Sequence, residues 1–207
     1  MRILQILLII ILVLSVDNVL AYENLNKKNY EKSKNEKAVI IYGVNWGRKW
    51  GCAGLENAQI ENLTFARLSS NSGGDNEEKI VLNTPSRLFV DNISKPYAII
   101  VSPGEYALTG FKVKIAKSVH DVSYIKWDGK DLFENGKPFG GTFKADAGEI
   151  VYIGEFGLDC AYEPIPWRYY IQKEDFDSYV AGFKERYKFI SDKQVIYRLF
   201  QTNKFGQ

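Results

Sequence analysis

The chain has 207 residues, with 27 Lys and Arg against 25 Asp and Glu, a formal charge of +2. That balance lacks the basic face nucleic acids require, so no nucleic-acid partner is expected. One histidine, and two cysteines outside any Cys-x-x-Cys, give no metal-ligand pattern, so no metal and no cofactor are expected.

From the start of the chain, Met1-Arg2 is a short positive lead. Ile3 to Val16 is apolar apart from Gln5 and Ser15, and Val19-Leu20-Ala21 offers the small residues a signal peptidase reads. Residues 1–21 therefore read as a secretory signal peptide. A retained anchor is the other reading, but an apolar run of about 14 residues falls short of the about 20 that span a bilayer. No other run is long enough to cross, so no membrane span is expected once the signal is cleaved. The expected location is periplasmic or secreted. Tyr22 to Lys37 is rich in Lys, Asn and Glu and reads as a disordered lead-in. Residues 38–207 are a length suited to a single domain.

Within that domain, segments rich in β-branched and aromatic residues lie between turn residues and read as strands. They are Ala38 to Val44, Asn62 to Leu68, Lys79 to Leu82, Arg87 to Val90, Pro96 to Val101, Glu105 to Ile115, His120 to Trp127, Gly141 to Lys144, Glu149 to Phe156, Trp167 to Ile171 and Val195 to Phe200. One helix is predicted, over about 174–189. Phe176, Tyr179, Val180, Phe183 and Tyr187 form a helical stripe, acids crowd its start and cations its end. Gly182 inside it costs about 1 kcal/mol relative to Ala.

The sequence also echoes itself. Gly104-Glu105 and Gly148-Glu149 each enter a strand, and each strand carries a second glycine six residues after the first, Gly110 and Gly154. The first glycine suits a tight turn; the second suits a bulge or a close backbone approach. These stretches, SPGEYALTGF at Ser102 to Phe111 and GGTFKADAGEIVYIGEF at Gly140 to Phe156, resemble bacterial secreted and lipoprotein β-sandwich domains to which no activity is assigned. The resemblance spans about a third of the chain and rests on turn and strand residues, Gly104, Glu105, Gly148 and Glu149 among them. It implies a transthyretin-like fold and no catalytic motif. The fold class expected is mainly β: an antiparallel β-sandwich, transthyretin-like or immunoglobulin-like, with one helix near the C-terminus.

Two aromatic and cationic clusters are the candidate contact residues. Trp46, Arg48 and Trp50 lie in a glycine-rich stretch, and Trp167 and Arg168 form the second cluster. Exposed, they suit an envelope protein or a glycan. The alternative is that the tryptophans plug an open end of the sheets with an arginine stacked on them. After export, Cys52 and Cys160 are expected to pair, closing a loop of about 110 residues worth roughly 4–5 kcal/mol. Two buried thiols are the alternative.

Catalytic patterns are sparse. His120 is followed by Asp121, but no Gly-x-Ser-x-Gly elbow exists. Glu105 and Glu149 form the one carboxylate pair that suits a polysaccharide hydrolase, or else they are solvated turn residues. Asp128 to Gly136 lacks calcium-loop spacing and reads as a hairpin with an Asn-Gly turn. The function expected is that of an exported envelope protein acting as a non-enzymatic binding or structural module. A carboxylate-dependent hydrolase is the alternative.

Overall fold

The computed structural model describes residues 22–49, 57–68, 78–85, 94–118, 120–158 and 166–202. In chain order these give Tyr22–Asn24 (β1), the helix Lys27–Ser33 (α1), Ala38–Asn45 (β2), Gly47–Lys49 (β3), Asn57–Arg67 (β4), Lys79–Asn83 (β5) and Ser94–Val101 (β6). Gly104–Ser118 (β7), Asp121–Asp128 (β8), Phe133–Glu134 (β9), Lys137–Pro138 (β10), Thr142–Ala145 (β11) and Ile150–Leu158 (β12) follow. Pro166–Tyr169 (β13), the helix Lys173–Arg186 (α2) and Ile196–Tyr197 (β14) end the set. The protein is mainly β, and Arg87 to Val90 lies outside the described residues.

One sheet runs β1-β6-β2-β12-β13, with β14 also on β12; the other runs β11-β7-β4-β3, with β5 on β4 and β8 on β7. Alternation along β2 explains its place. Ala38, Ile40, Tyr42 and Val44 join a core shared with Ile60, Leu63, Phe65 and Phe111 of the second sheet. Val39 and Ile41 join a second core with Phe176 and Phe183 of α2. A strand buried on both faces needs an unbroken apolar run, and AVIIYGV supplies one.

The first sheet is mixed, which corrects the wholly antiparallel expectation. β12 runs parallel to β2 and to β14, while its other pairings and those of the second sheet are antiparallel. Burial on both faces, by the second sheet and by α2, is the setting parallel pairs require. β14 and β13 share one edge of β12, and Gly154 stands at the change of neighbour. Its φ is +98°, and a Cβ there would lie 3.1 Å from the Tyr169 carbonyl oxygen.

The lead-in is ordered, a second correction. Tyr22 pairs with Val101, and its hydroxyl donates to the Val81 carbonyl at 3.0 Å. The Asn26 side chain accepts from the Asn29 N–H at 2.9 Å and caps α1. Leu25 and Tyr30 are buried in the second core. Three apolar anchors and one cap offset the ordering entropy, and the Lys and Glu residues occupy the exposed side. α2 spans Lys173–Arg186, and a 3-10 turn at Lys188–Ile190 then buries Ile190. Among the described residues, no helix is long and apolar enough to cross a membrane.

Candidate functional site

The first aromatic cluster divides. Trp46 is 1% exposed, and its Nε1–H donates to the Tyr97 hydroxyl at 2.6 Å. It is a core residue and not a contact residue, because the end of β2 turns it inward beside Val44. Arg48 lies in β3 and Trp167 in β13. Arg168 is half-buried, its Nε has no hydrogen-bond partner among the described residues, and its guanidinium carbon sits 5.2 Å from the Tyr170 ring centroid. Trp50, Cys52 and Cys160 lie outside the described residues.

Glu105 and Glu149 serve different ends. Glu105 is exposed and pairs across the sheet with Lys144. Glu149 accepts two hydrogen bonds from Arg198, at 2.6 and 3.0 Å, and one from the Asp146 N–H at 2.9 Å. The Arg198 guanidinium holds its carboxyl below the usual carboxylate range. His120 is exposed, and its backbone N–H donates to the Ser118 hydroxyl. Asn135 and Gly136 both have positive φ, 51° and 74°, the geometry of a two-residue hairpin turn.

One carboxyl escaped the sequence reading. The bulge at Gly154 turns Glu155 toward α2, where its side chain crosses Gly43. A Cβ on Gly43 would come within 2.8 Å of the Glu155 Cδ. Burial pushes its carboxyl up, partly offset by a hydrogen bond from Tyr169. The Tyr179 hydroxyl, whose own ionisation is disfavoured by burial and by Glu155, is enclosed without a hydrogen-bond partner among the described residues. The signal was a lone acid inside the apolar run of β12.

These two carboxyls give opposite pH behaviour. Glu149, lowered in the fold, stabilises it above the ordinary carboxyl range, and that stability is lost as pH falls through its folded value. Glu155, raised in the fold, stabilises it most below the ordinary range, and that stability is lost as pH rises through its folded value. Unfolding free energies from urea titrations are therefore expected to fall for Glu149→Gln near neutral pH, by about 1 kcal/mol, and to converge with wild type in acid. Glu155→Gln is expected to exceed wild type near neutral pH and to converge with it in acid. Parallel curves at all pH values for either variant would contradict its assignment.

The polar groove that best suits a ligand lies on the second sheet. Two bulges interrupt the β4–β7 pairing. One leaves Glu61 unopposed between Ile60 and Asn62; the other leaves Thr109 unopposed between Leu108 and Gly110. Beside the Thr109 bulge lies a cavity of about 390 Å³, with Gly110 in its wall. A Cβ on Gly110 would stand 3.4 Å from the Trp127 carbonyl oxygen. Thr64, Thr109 and Asn62 supply hydroxyl and amide groups, while the half-buried Trp127 ring, opposite Phe111 in register, stacks on it at 5.6 Å against the shared core. Lys79, Lys112 and Lys126 bring three ammonium groups. Lys112 meets Glu61 at 2.6 Å and Lys126 meets Asp128 at 3.0 Å. Among the described residues, Lys79 forms no ion pair.

Two other cavities are notable. An open recess of about 720 Å³ lies beside Phe133, Phe139, Gly141 and Gln201. A smaller one, of about 330 Å³, lies between α2 and β6. Neither Glu105 nor Glu149 lines any of the three. No protein-family model, curated protein or solved structure matches the chain.

Proposed function

We propose that this chain is an exported, non-enzymatic binding module of the bacterial cell envelope, folded as a β-sandwich, that takes an acidic glycan in the groove at Gly110. Export rests on the leader pattern of residues 1–21. The sandwich reading rests on the core shared by the two sheets and on the resemblance at Ser102 to Phe111 and Gly140 to Phe156. The groove carries the binding reading. Threonine hydroxyls and an asparagine amide match sugar hydroxyls, and lysines outnumber acids among the lining residues. The hydrolase reading is less favoured, because Glu149 is held by Arg198 and neither it nor Glu105 lines a cavity described above.

Titration of the protein with an acidic envelope oligosaccharide and its carboxyl-reduced form tests this. The acidic form is expected to bind, with affinity falling as salt rises. Lys79→Ala with Lys126→Ala is expected to weaken it about tenfold, about 1.4 kcal/mol, with little change in melting temperature. Equal affinity for the reduced form, or no binding of either, would overturn the proposal.

A further inference from the structure

Helix α2 covers the mixed sheet only in part. Phe176 and Phe183 anchor it in one cluster with Ile41, Ala98 and Ile100. Beside Phe183, between α2 and the start of β6, lies the cavity of about 330 Å³, walled by Pro96, Tyr97, Tyr179, Phe183 and Tyr187. Ser178, Gly182 and Arg186 complete the wall. Its size is at the lower end of small-molecule sites, about 300–1,000 Å³.

Gly182 makes this cavity more than a packing gap. Glycine is among the poorest helix formers, and here it sits inside a helix, away from any turn. Among the described residues, nothing lies within 4 Å of where its Cβ would be, and no contact asks for glycine at this position. Gly182 is exposed and lines the cavity, so a larger side chain there would stand at the cavity's open rim. Ser178, Gly182 and Arg186 are spaced by four and lie on one helix face, all lining the cavity. Arg186 is exposed, and its guanidinium carbon sits 5.5 Å from the Tyr187 ring centroid. Among the described residues, no carboxylate pairs with it. Lys184 in the same last turn adds positive charge and offsets the negative helix end.

We propose that this cavity binds a small amphiphile. Its compact apolar body lies against the aromatic rings and the bare backbone at Gly182, and its single anionic head, carboxylate or phosphate, sits on Arg186. The site is on the other sheet from the groove at Gly110 and stands whether or not that groove binds a glycan.

The test is an NMR titration of the protein with octanoate, octanol and octylamine at millimolar concentration. Octanoate is expected to bind most tightly and octylamine least. Arg186→Gln should weaken octanoate about tenfold and leave octanol unchanged. Gly182→Leu should raise the melting temperature, by favouring helix, and abolish octanoate binding. Undiminished octanoate affinity in Gly182→Leu, or octylamine binding as tightly as octanoate, would overturn the proposal. So would co-sedimentation with phosphatidylglycerol vesicles without saturable octanoate binding, which would assign Arg186 to a membrane surface.

Discussion

Trp46→Ala is expected to destabilise the protein by about 3–5 kcal/mol, the range for truncating a large buried aromatic. The indole is 1% exposed and stands edge-on to Tyr97, with ring centroids 6.2 Å apart and planes at 87°. Tyr97 in turn stacks on Tyr42 at 5.3 Å, so the cavity left behind opens beside two more rings. Truncation also takes the indole N–H donor from the Tyr97 hydroxyl, a net loss of about 1 kcal/mol within that range. For a chain of this size each kcal/mol moves the melting temperature by about 2–4 °C, giving a fall on the order of 10 °C. Trp46→Phe keeps most of the apolar volume and loses the hydrogen bond, so its fall should be well under half as large. Thermal melts of both variants decide the matter. An unchanged melting temperature in Trp46→Ala would return Trp46 to the contact surface and contradict its burial.

Trp46 shows how much of the molecule was legible in its sequence. β7 announces itself because its apolar residues follow the pleat, β2 and β12 because they are nearly unbroken apolar runs, and α2 because its aromatics follow a helical turn. Such signals are local, and they survive without knowledge of the partner strand. Whether Trp46 faces inward depends on register with β6, which brings Tyr42 opposite Tyr97 and so places the Trp46 partner. The same limit hid the parallel pairing of β2 with β12, since a continuous apolar run says buried on two faces and not beside which strand. The ordered lead-in was hidden by composition. Lys, Asn and Glu dominate Tyr22 to Lys37, yet Tyr22, Leu25 and Tyr30 are enough to dock it.

The candidate groove was less legible still. The echo of Gly110 and Gly154 pointed to bulges or close approaches, and both glycines do lie beside irregular pairings. The spacing did not reveal that the bulge beside Gly110 borders a polar groove. Nor did it reveal that the one at Gly154 turns Glu155 under a helix. Lys79, Lys112 and Lys126 come from three strands, so no stretch of sequence displays them together. The sheet assembles the groove.

Gly141→Ala is expected to have an effect of similar size through a different cause. Gly141 has φ +117°, outside the regions that L residues adopt, which costs on the order of 1–3 kcal/mol once a Cβ is present. That Cβ would also lie 2.5 Å from two carbon atoms of the Phe200 ring and 2.6 Å from the Gln201 carbonyl oxygen. Phe200 cannot move aside cheaply. It is 2% exposed, with its ring 5.4 Å from Phe156 and 6.0 Å from Phe65. Overpacking of this kind costs about 1–3 kcal/mol more. Displacing Gln201 loads the two hydrogen bonds next to the clash, between Thr142 and Gln201, of 2.8 and 2.7 Å. The variant should therefore lose on the order of 10 °C in melting temperature and show faster hydrogen exchange at the Thr142 and Gln201 amides. Adding Phe200→Leu should recover part of the loss, although Phe200→Leu alone is destabilising. If the double variant is no more stable than Gly141→Ala, the conflict lies in the backbone at residue 141 rather than in the ring.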